Sequence, residues 1–247
     1  MTKSKNSSPI RFVILIGLVM IFSISCQEDD SDDVTDAMDL STLTSKWEFV
    51  DNDELYTLEM NEDGNYIAKK KNATGSGTIR FGDYQISDNT VYFESLGELK
   101  ITSIDDVNLS GEWRSNTENT PIIISGNRST TISESDSTNL LCKSWQMVSV
   151  NGEEVDTEYA LTVIWSNAGT YFVEFDEPTD ENEGGLSQWK WNENQPNSLL
   201  YNWDGTSNWD DADEITIVEL SATSLTIRED YSDDESETFV LKPLHNN

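Results

Sequence analysis

Aromatic side chains are concentrated in the second half of the chain, where they could contact a ligand. Trp189 and Trp191 are two residues apart, as are Tyr201 and Trp203, so each pair shares one face if the segments are strands. The turn-forming residues 194–197 between the pairs predict a hairpin that brings four rings together. On the outer face of a sheet these rings would stack on sugars, and on an inner face they would line a site for an apolar ligand. The alternative is that they are cross-strand pairs and core.

Two acidic segments carry enough oxygen atoms for a hard cation such as Ca²⁺. Residues 204–214 read DGTSNWDDADE, and residues 59–64 read EMNEDG. An EF-hand loop has a glycine at its sixth position, but in residues 204–214 the glycine is at the second. In the segment that begins at Glu59, Lys70 stands where the EF-hand loop has a bidentate Glu. We therefore predict solvated acidic loops, with no metal site and no cofactor.

The sequence offers little machinery for catalysis. The only histidine is His245, two residues from the C-terminus, which argues against Ser-His-Asp and Cys-His arrangements. No glycine-rich phosphate loop follows a strand-like segment. The 47 acidic residues leave a glycosidase-type acid pair open, but no pair stands out. We expect no catalytic residues, and a glycan-active hydrolase is kept as an alternative.

The first 25 residues predict an export signal. Basic residues precede the apolar run 12–24, which is too short to span a bilayer comfortably. The run ends in Ser-Ile-Ser before Cys26 and resembles the lipobox of bacterial lipoproteins, which implies that Cys26 is lipidated and becomes the N-terminus. An ordinary cleaved signal is the alternative. With Cys26 lipidated, Cys142 has no disulfide partner and is predicted to be a buried, inert thiol.

Negative charge dominates the composition, and the formal net charge of the whole chain is −32. Residues 26–40 are rich in Asp and Glu and lack basic residues, so they predict an extended, disordered tether. An acidic segment directly after the lipidated cysteine resembles the surface-export signal of Bacteroidota lipoproteins. This resemblance implies an outer-membrane lipid anchor at the cell surface; a periplasm-facing protein and a plain solvated linker are the alternatives. The charge also repels phosphates, so we expect no nucleic acid partner. The oligomeric state is not indicated.

Short β-prone runs separated by Gly, Asn, Asp and Ser predict an all-β body with a duplicated unit. Residues 43–67 and 141–175 both open with a leucine four residues before a tryptophan and contain a Gly-x-Tyr turn. From Glu98 to Ile124 an offset of 116 residues aligns the copies, with ELKITSIDDVNLSGEW over EITIVELSATSLTIRE. The second copy carries seven extra residues around 151–160 and eleven between residues 181 and 213. The strands predicted in the first copy include 56–60, 66–70, 78–81, 90–94, 99–104 and 122–125.

Residues 126–139, GNRSTTISESDSTN, predict a Ser/Thr-rich linker between a first β domain, residues 41–125, and a second, residues 140–247. The opening L-x-x-x-W strand, the aromatic hairpin and the closing meander resemble the lipocalin-like lipoprotein domains of Bacteroidota. The resemblance implies two tandem small antiparallel up-and-down β-barrels. Each copy is shorter than a full lipocalin, which favours a nearly filled barrel over a wide cup.

The second domain is the better candidate for binding because the inserted segment with Trp203 occurs only there. We predict a non-catalytic surface lipoprotein that holds a small apolar or carbohydrate ligand in its second barrel. The ligand-binding residues would be Trp189, Trp191, Tyr201 and Trp203. An adhesion or spacer module that presents loops to a protein partner is the alternative.

Overall fold

The computed structural model describes residues 42–50, 54–71, 77–117, 120–175, 183–203, 208–232 and 235–244. The predicted signal peptide, Cys26, the acidic tether and His245 lie outside these ranges. Within them, no helix is long and apolar enough to cross a bilayer.

The first barrel consists of eight antiparallel strands in sequential order. They are β1 (Lys46–Glu48), β2 (Leu55–Met60), β3 (Asn65–Lys70), β4 (Thr78–Ser87), β5 (Thr90–Phe93), β6 (Gly97–Ile104), β7 (Asn108–Ser115) and β8 (Ile122–Arg128). The last strand pairs with the first, Trp47 opposite Arg128, so the sheet closes and leaves no edge.

The second barrel follows a short helix, α1 (Asp136–Leu141). Its strands are β9 (Lys143–Val150), β10 (Glu153–Glu154), β11 (Thr162–Trp165), β12 (Thr170–Glu174), β13 (Gly184–Trp191), β14 (Ser198–Asn202), β15 (Asp213–Leu220), β16 (Leu225–Ser232) and β17 (Glu235–Pro243). β17 pairs with β9 and closes the barrel, while the two-residue β10 extends the sheet beside β9. The prediction of an all-β chain with two tandem antiparallel barrels is confirmed.

The strand registers show the duplication directly. Trp47 pairs with Leu58 and Trp145 pairs with Val163, so the offset between the copies grows from 98 to 105 residues across this connection. The seven extra residues belong to the segment that forms β10 and a single 3₁₀ turn, Thr157–Tyr159. Such insertions are tolerated because they lie in a connection outside the closed sheet.

The β6–β7 and β15–β16 hairpins carry the same irregularity. Ile101 faces Gly111 and Ile217 faces Ile227, and a register shift follows directly in both hairpins. The offset of 116 residues is therefore confirmed for this hairpin. It is wrong by one residue in the last strand, where Ile124 occupies the place of Phe239.

The L-x-x-x-W motif buries an indole in each barrel and gives its N–H an acceptor. The Trp47 indole N–H donates to the carbonyl oxygen of Leu43 at 3.2 Å, and that of Trp145 donates to Leu141 at 2.8 Å. All four residues are buried. Because a buried indole N–H needs a partner, a backbone carbonyl four residues earlier lets the ring sit in the core.

The Gly-x-Tyr turns are equally alike. Gly64 and Gly169 both have positive φ, at 85° and 74°, which a residue without Cβ adopts readily. Each turn delivers its tyrosine to the barrel interior. Tyr66 contacts Phe93 edge-to-face at 5.2 Å, and Tyr171 contacts Tyr201 edge-to-face at 5.1 Å.

The segment predicted as a linker is regular at both ends. Residues 126–128 belong to β8, and residues 136–139 belong to α1. Ser135 caps α1, because its hydroxyl accepts a hydrogen bond from the backbone N–H of Thr138. Leu141 is buried in the core of the second barrel, so α1 packs against that barrel. Six residues are too few to show a helical period, so the sequence predicts no helix here.

The two barrels touch through the outer faces of corresponding strands. The buried residues of this contact are Ile67, Ile79, Ile164 and Phe172. The rings of Phe81 and Phe172 lie 4.9 Å apart. The backbone N–H of Phe81 donates to the Glu183 carboxylate at 2.6 Å, and the N–H of Glu183 donates to the carbonyl of Ile79 at 3.1 Å. Apolar packing, one charge-assisted hydrogen bond and one backbone hydrogen bond thus contribute to the contact between the barrels.

Candidate ligand-binding cavity in the second barrel

The second barrel contains a cavity of about 300 Å³. Its walls come from β9, β11, β12, β14, β16 and β17 and are mainly apolar and aromatic. Tyr171, Tyr201, Ile227 and Phe239 contribute to these walls. A volume of this size accommodates a small organic molecule.

The predicted aromatic hairpin is formed by β13 and β14, with Trp189 opposite Tyr201. Trp189 is only 2% exposed, and its indole N–H donates to the carbonyl of Ser166 at 3.0 Å. The indole N–H of Trp191 donates to the hydroxyl of Thr138 in α1 at 3.0 Å. These two tryptophans therefore pack toward the end of the barrel that carries α1, and neither lines the cavity within the described residues.

Tyr201 and Trp203 do line the cavity. Tyr201 is buried, whereas Trp203 is 44% exposed at the entrance. Their rings lie 5.6 Å apart and nearly perpendicular. Tyr171 completes the group, with its ring 5.1 Å from Tyr201 and 5.5 Å from Trp203. The four rings predicted to act together are thus divided between packing and cavity, and ligand contact by any of them stays a prediction.

Gly185 in β13 makes room for the ring of Trp203. A Cβ atom at this position would lie 2.7 Å from the indole Cζ3 atom, closer than such contacts occur. The absence of a side chain lets Trp203 lie over the strand beside the cavity entrance.

Of the eleven described residues that line this cavity, only Tyr201 and Trp203 were predicted; among the others, Tyr171 and Glu229 do have a signal in the sequence. Tyr171 belongs to the second Gly-x-Tyr turn, so the repeat itself signals an inward-facing ring. Glu229 lies under Trp113 in the 116-residue alignment. A carboxylate that aligns with a tryptophan of the other copy is the sequence signal that points to Glu229.

Burial shapes the electrostatics of the cavity. It raises the pKa of the Glu229 carboxyl, and the nearby carboxylates of Asp213 and Glu237 raise it further, while the hydrogen bond from Tyr231 lowers it. Burial also raises the pKa values of Tyr171 and Tyr201, so both hydroxyls stay protonated at neutral pH.

A second cavity of about 330 Å³ lies between the barrels and has a largely polar wall. Lys46 donates to the hydroxyl of Thr170 at 3.1 Å, and that hydroxyl donates to the carboxylate of Glu59, which is 3% exposed, at 2.6 Å. Cys142 also lines it, and burial, with a contribution from Glu59, raises its pKa to about 12. The half-buried thiol is therefore unreactive as a nucleophile at neutral pH.

Neither acidic segment considered for Ca²⁺ forms a recognisable metal centre in the described part of the chain. Residues 59–64 run from the end of β2 into the β2–β3 turn, and Glu59 is engaged by Thr170. Residues 204–207 of the other segment lie outside the described ranges. Elsewhere in those ranges, no three His, Cys, Asp or Glu side chains are arranged to hold a metal ion.

No model of a known protein family matches the chain, and no curated protein is similar to it in sequence. The fold therefore has to define the class. Two closed eight-stranded antiparallel barrels in tandem are consistent with a lipocalin-like fold.

Proposed function

We propose that the protein is a non-catalytic, lipid-anchored binding protein of the Bacteroidota cell surface whose second barrel holds a small apolar ligand. The cavity behind Trp203 is the observation that carries this proposal. Burial of a ligand against aromatic and aliphatic walls supplies free energy in proportion to the apolar area removed from water.

An apolar ligand is favoured over a carbohydrate by where the rings lie. A sugar needs an exposed aromatic platform bordered by hydrogen-bonding groups, but Trp189 is buried and Trp191 packs against α1. Tyr201 and Trp203 instead border a mainly apolar cavity. We therefore assign ligand contact to Tyr201, Trp203 and the additional ring of Tyr171.

Titration with the neutral apolar probe N-phenyl-1-naphthylamine tests this site. We expect saturable enhancement of its fluorescence by the purified chain and competition by 1-hexanol. Trp203→Ala should weaken binding about tenfold because it removes an aromatic contact at the entrance. Trp209→Ala is the matched control: this tryptophan follows in the same connection and contacts Lys190, at 4.5 Å from its ring, outside the cavity wall.

Two results would contradict the apolar site. One is no saturable enhancement by the wild-type chain. The other is displacement of the probe by a maltohexaose-type oligosaccharide but not by 1-hexanol, which would return the site to the carbohydrate alternative.

The lipid anchor has its own test. Mass spectrometry of the chain extracted from membranes should find an N-terminal Cys26 that carries acyl chains, and Cys26→Ser should release the protein from the membrane fraction. Protease treatment of intact cells should degrade the protein if it faces the outside. An unmodified thiol at position 26 would contradict the anchor, and full protection from protease would place the protein on the periplasmic side.

A further inference from the structure

The mainly apolar wall of the second barrel's cavity contains one acidic side chain among the described residues. Glu229 lines the cavity together with aromatic and aliphatic side chains, and no Lys, Arg or His joins it in the described wall. The neighbouring Arg228 pairs with Asp230 at 3.1 Å on the exposed side of β16. Among the described ion pairs, none involves Glu229, so its carboxylate has no cationic partner there.

A single hydroxyl hydrogen is shared among the carboxylates around Glu229. The Tyr231 hydroxyl lies 3.2 Å from a Glu229 oxygen and 3.1 Å from a Glu237 oxygen, yet it can donate only one hydrogen bond at a time. Asp213 adds another nearby negative charge. Like charges this close repel each other unless a proton or a cation is present.

A metal ion fits this place poorly. Divalent cations need several oxygen ligands, and the rest of the wall consists of rings and aliphatic groups. No metal-holding group of three acidic, His or Cys side chains is found in the part of the chain that the structure describes.

The rings beside Glu229 suit an organic cation. Tyr171, Tyr201 and Trp203 lie within 5.6 Å of one another, with the Tyr201 ring nearly perpendicular to that of Trp203. Aromatic faces carry negative charge density and attract ammonium groups, most strongly where water is excluded. The first barrel lacks this combination, because Trp113 takes the place of Glu229.

We propose that the ligand of the second barrel is an organic ammonium amphiphile, whose cationic head contacts Glu229 and the three rings while its apolar part fills the cavity. This inference rests on the function proposed above and names the chemical class of the ligand.

Calorimetric titration with hexyltrimethylammonium, 1-hexanol and hexanoate at one ionic strength tests the charge preference. The three probes share an alkyl chain and differ in the charge of the head. We expect the ammonium to bind the wild-type chain at least about tenfold more tightly than the alcohol, and hexanoate to bind most weakly. Glu229→Gln should remove most of the preference, because only the aromatic rings then attract the ammonium head.

Glu219→Gln is the control for the general attraction of cations to an acidic protein. It removes one charge from an exposed position of β15 that does not line the cavity, so it should keep the preference. If Glu229→Gln does not bind 1-hexanol either, the charge preference is tested by the affinities of the wild-type chain for the ammonium and the alcohol alone.

The outcomes separate the two proposals. Equal binding of ammonium and alcohol by the wild-type chain overturns the cationic ligand and leaves an apolar site. An ammonium preference that Glu229→Gln leaves unchanged overturns the contact of the cationic head with Glu229. Binding of none of the three probes overturns the apolar site, and the cationic ligand with it.

Discussion

The two barrels share one strand plan but differ in what occupies their interiors. In the first barrel Trp113 is fully buried, contacts the ring of Phe93 at 5.9 Å and donates its indole N–H to Glu54 at 2.7 Å. The corresponding position of the second barrel is Glu229, which borders a cavity of about 300 Å³. A large buried ring in the first barrel thus occupies the place that a carboxylate beside a cavity takes in the second.

The connections beside this position differ as well. Residues 94–96 join β5 to β6, whereas residues 203–212 join β14 to β15. The longer connection brings Trp203 to the cavity entrance. After duplication, one copy can thus supply stable packing while the other changes its inner face and one loop, because loops tolerate insertion better than strands.

The largest effect should follow from opening the first barrel. Trp113→Ala removes a fully buried ring from a well-packed core, and such changes cost about 3–5 kcal/mol of unfolding free energy. Urea denaturation followed by circular dichroism should show a lower midpoint for the transition that includes the first barrel.

Glu229→Ala is the matched change in the second barrel. Because Glu229 borders a space that is already open and has acidic neighbours, we expect a change of less than about 1 kcal/mol. Equal losses in the two variants would show that the interiors are not different in the way described.

A smaller and equal effect is expected where the barrels agree. Trp47→Phe and Trp145→Phe each remove a buried indole N–H that bonds to a backbone carbonyl four residues earlier. Leaving a buried carbonyl without its donor costs about 1–3 kcal/mol. Denaturation midpoints should fall by similar amounts in both variants, whereas Trp209→Phe, at a half-buried ring, should change little. If only one of the two variants loses stability, the indole hydrogen bond does not stabilise both barrels equally.

The duplication could be predicted because its signals are local. A leucine–tryptophan spacing, a Gly-x-Tyr turn and the alternation of apolar residues each reflect one hydrogen bond, one φ angle or one sheet face. The helix α1 could not be predicted in the same way. It is fewer than two turns long. Its cap at Ser135 is local, but the contact that holds it on the barrel is tertiary, because the indole N–H of Trp191 in a distant strand donates to its Thr138.

The candidate site was predictable only in part. The predicted hairpin forms, with Trp189 opposite Tyr201, but alternation does not tell how deep in a closed barrel a residue lies. That depth separates the buried Trp189 from the half-exposed Trp203. Glu229 was one of 47 acidic residues, and only its place under Trp113 distinguishes it.

An effect of about 1 kcal/mol is expected at the glycine of each turn. Gly64→Ala and Gly169→Ala place a Cβ atom in open or ordinary space, so the loss comes only from the positive φ. Gly64→Asn should lose less than Gly64→Ala, because Asn tolerates this backbone region better. Thermal unfolding of the three variants measures the order; an Asn variant no better than Ala would locate the loss outside the backbone angle.

The smallest expected effect is a pH dependence of stability that Glu229 gives to the second barrel. Because burial raises the pKa of Glu229 in the folded protein, the folded state favours the protonated carboxyl more than the unfolded chain does. This contribution to stability is complete below the ordinary pKa of Glu and is lost as pH rises through the folded value.

Glu229→Gln keeps the neutral form at every pH, so its urea midpoint should exceed that of the wild-type chain at pH 7.5 and equal it near pH 4. The carboxyl groups of Asp213 and Glu237 and the Tyr231 hydroxyl face Glu229, so the gap at pH 7.5 should widen at low ionic strength, where these charges repel each other more strongly. Glu219→Gln, at an exposed position of β15, is the control. If the urea midpoint of Glu219→Gln exceeds that of the wild-type chain by the same amount, the effect comes from net charge. The buried carboxyl of Glu229 would then not distinguish the second barrel from the first.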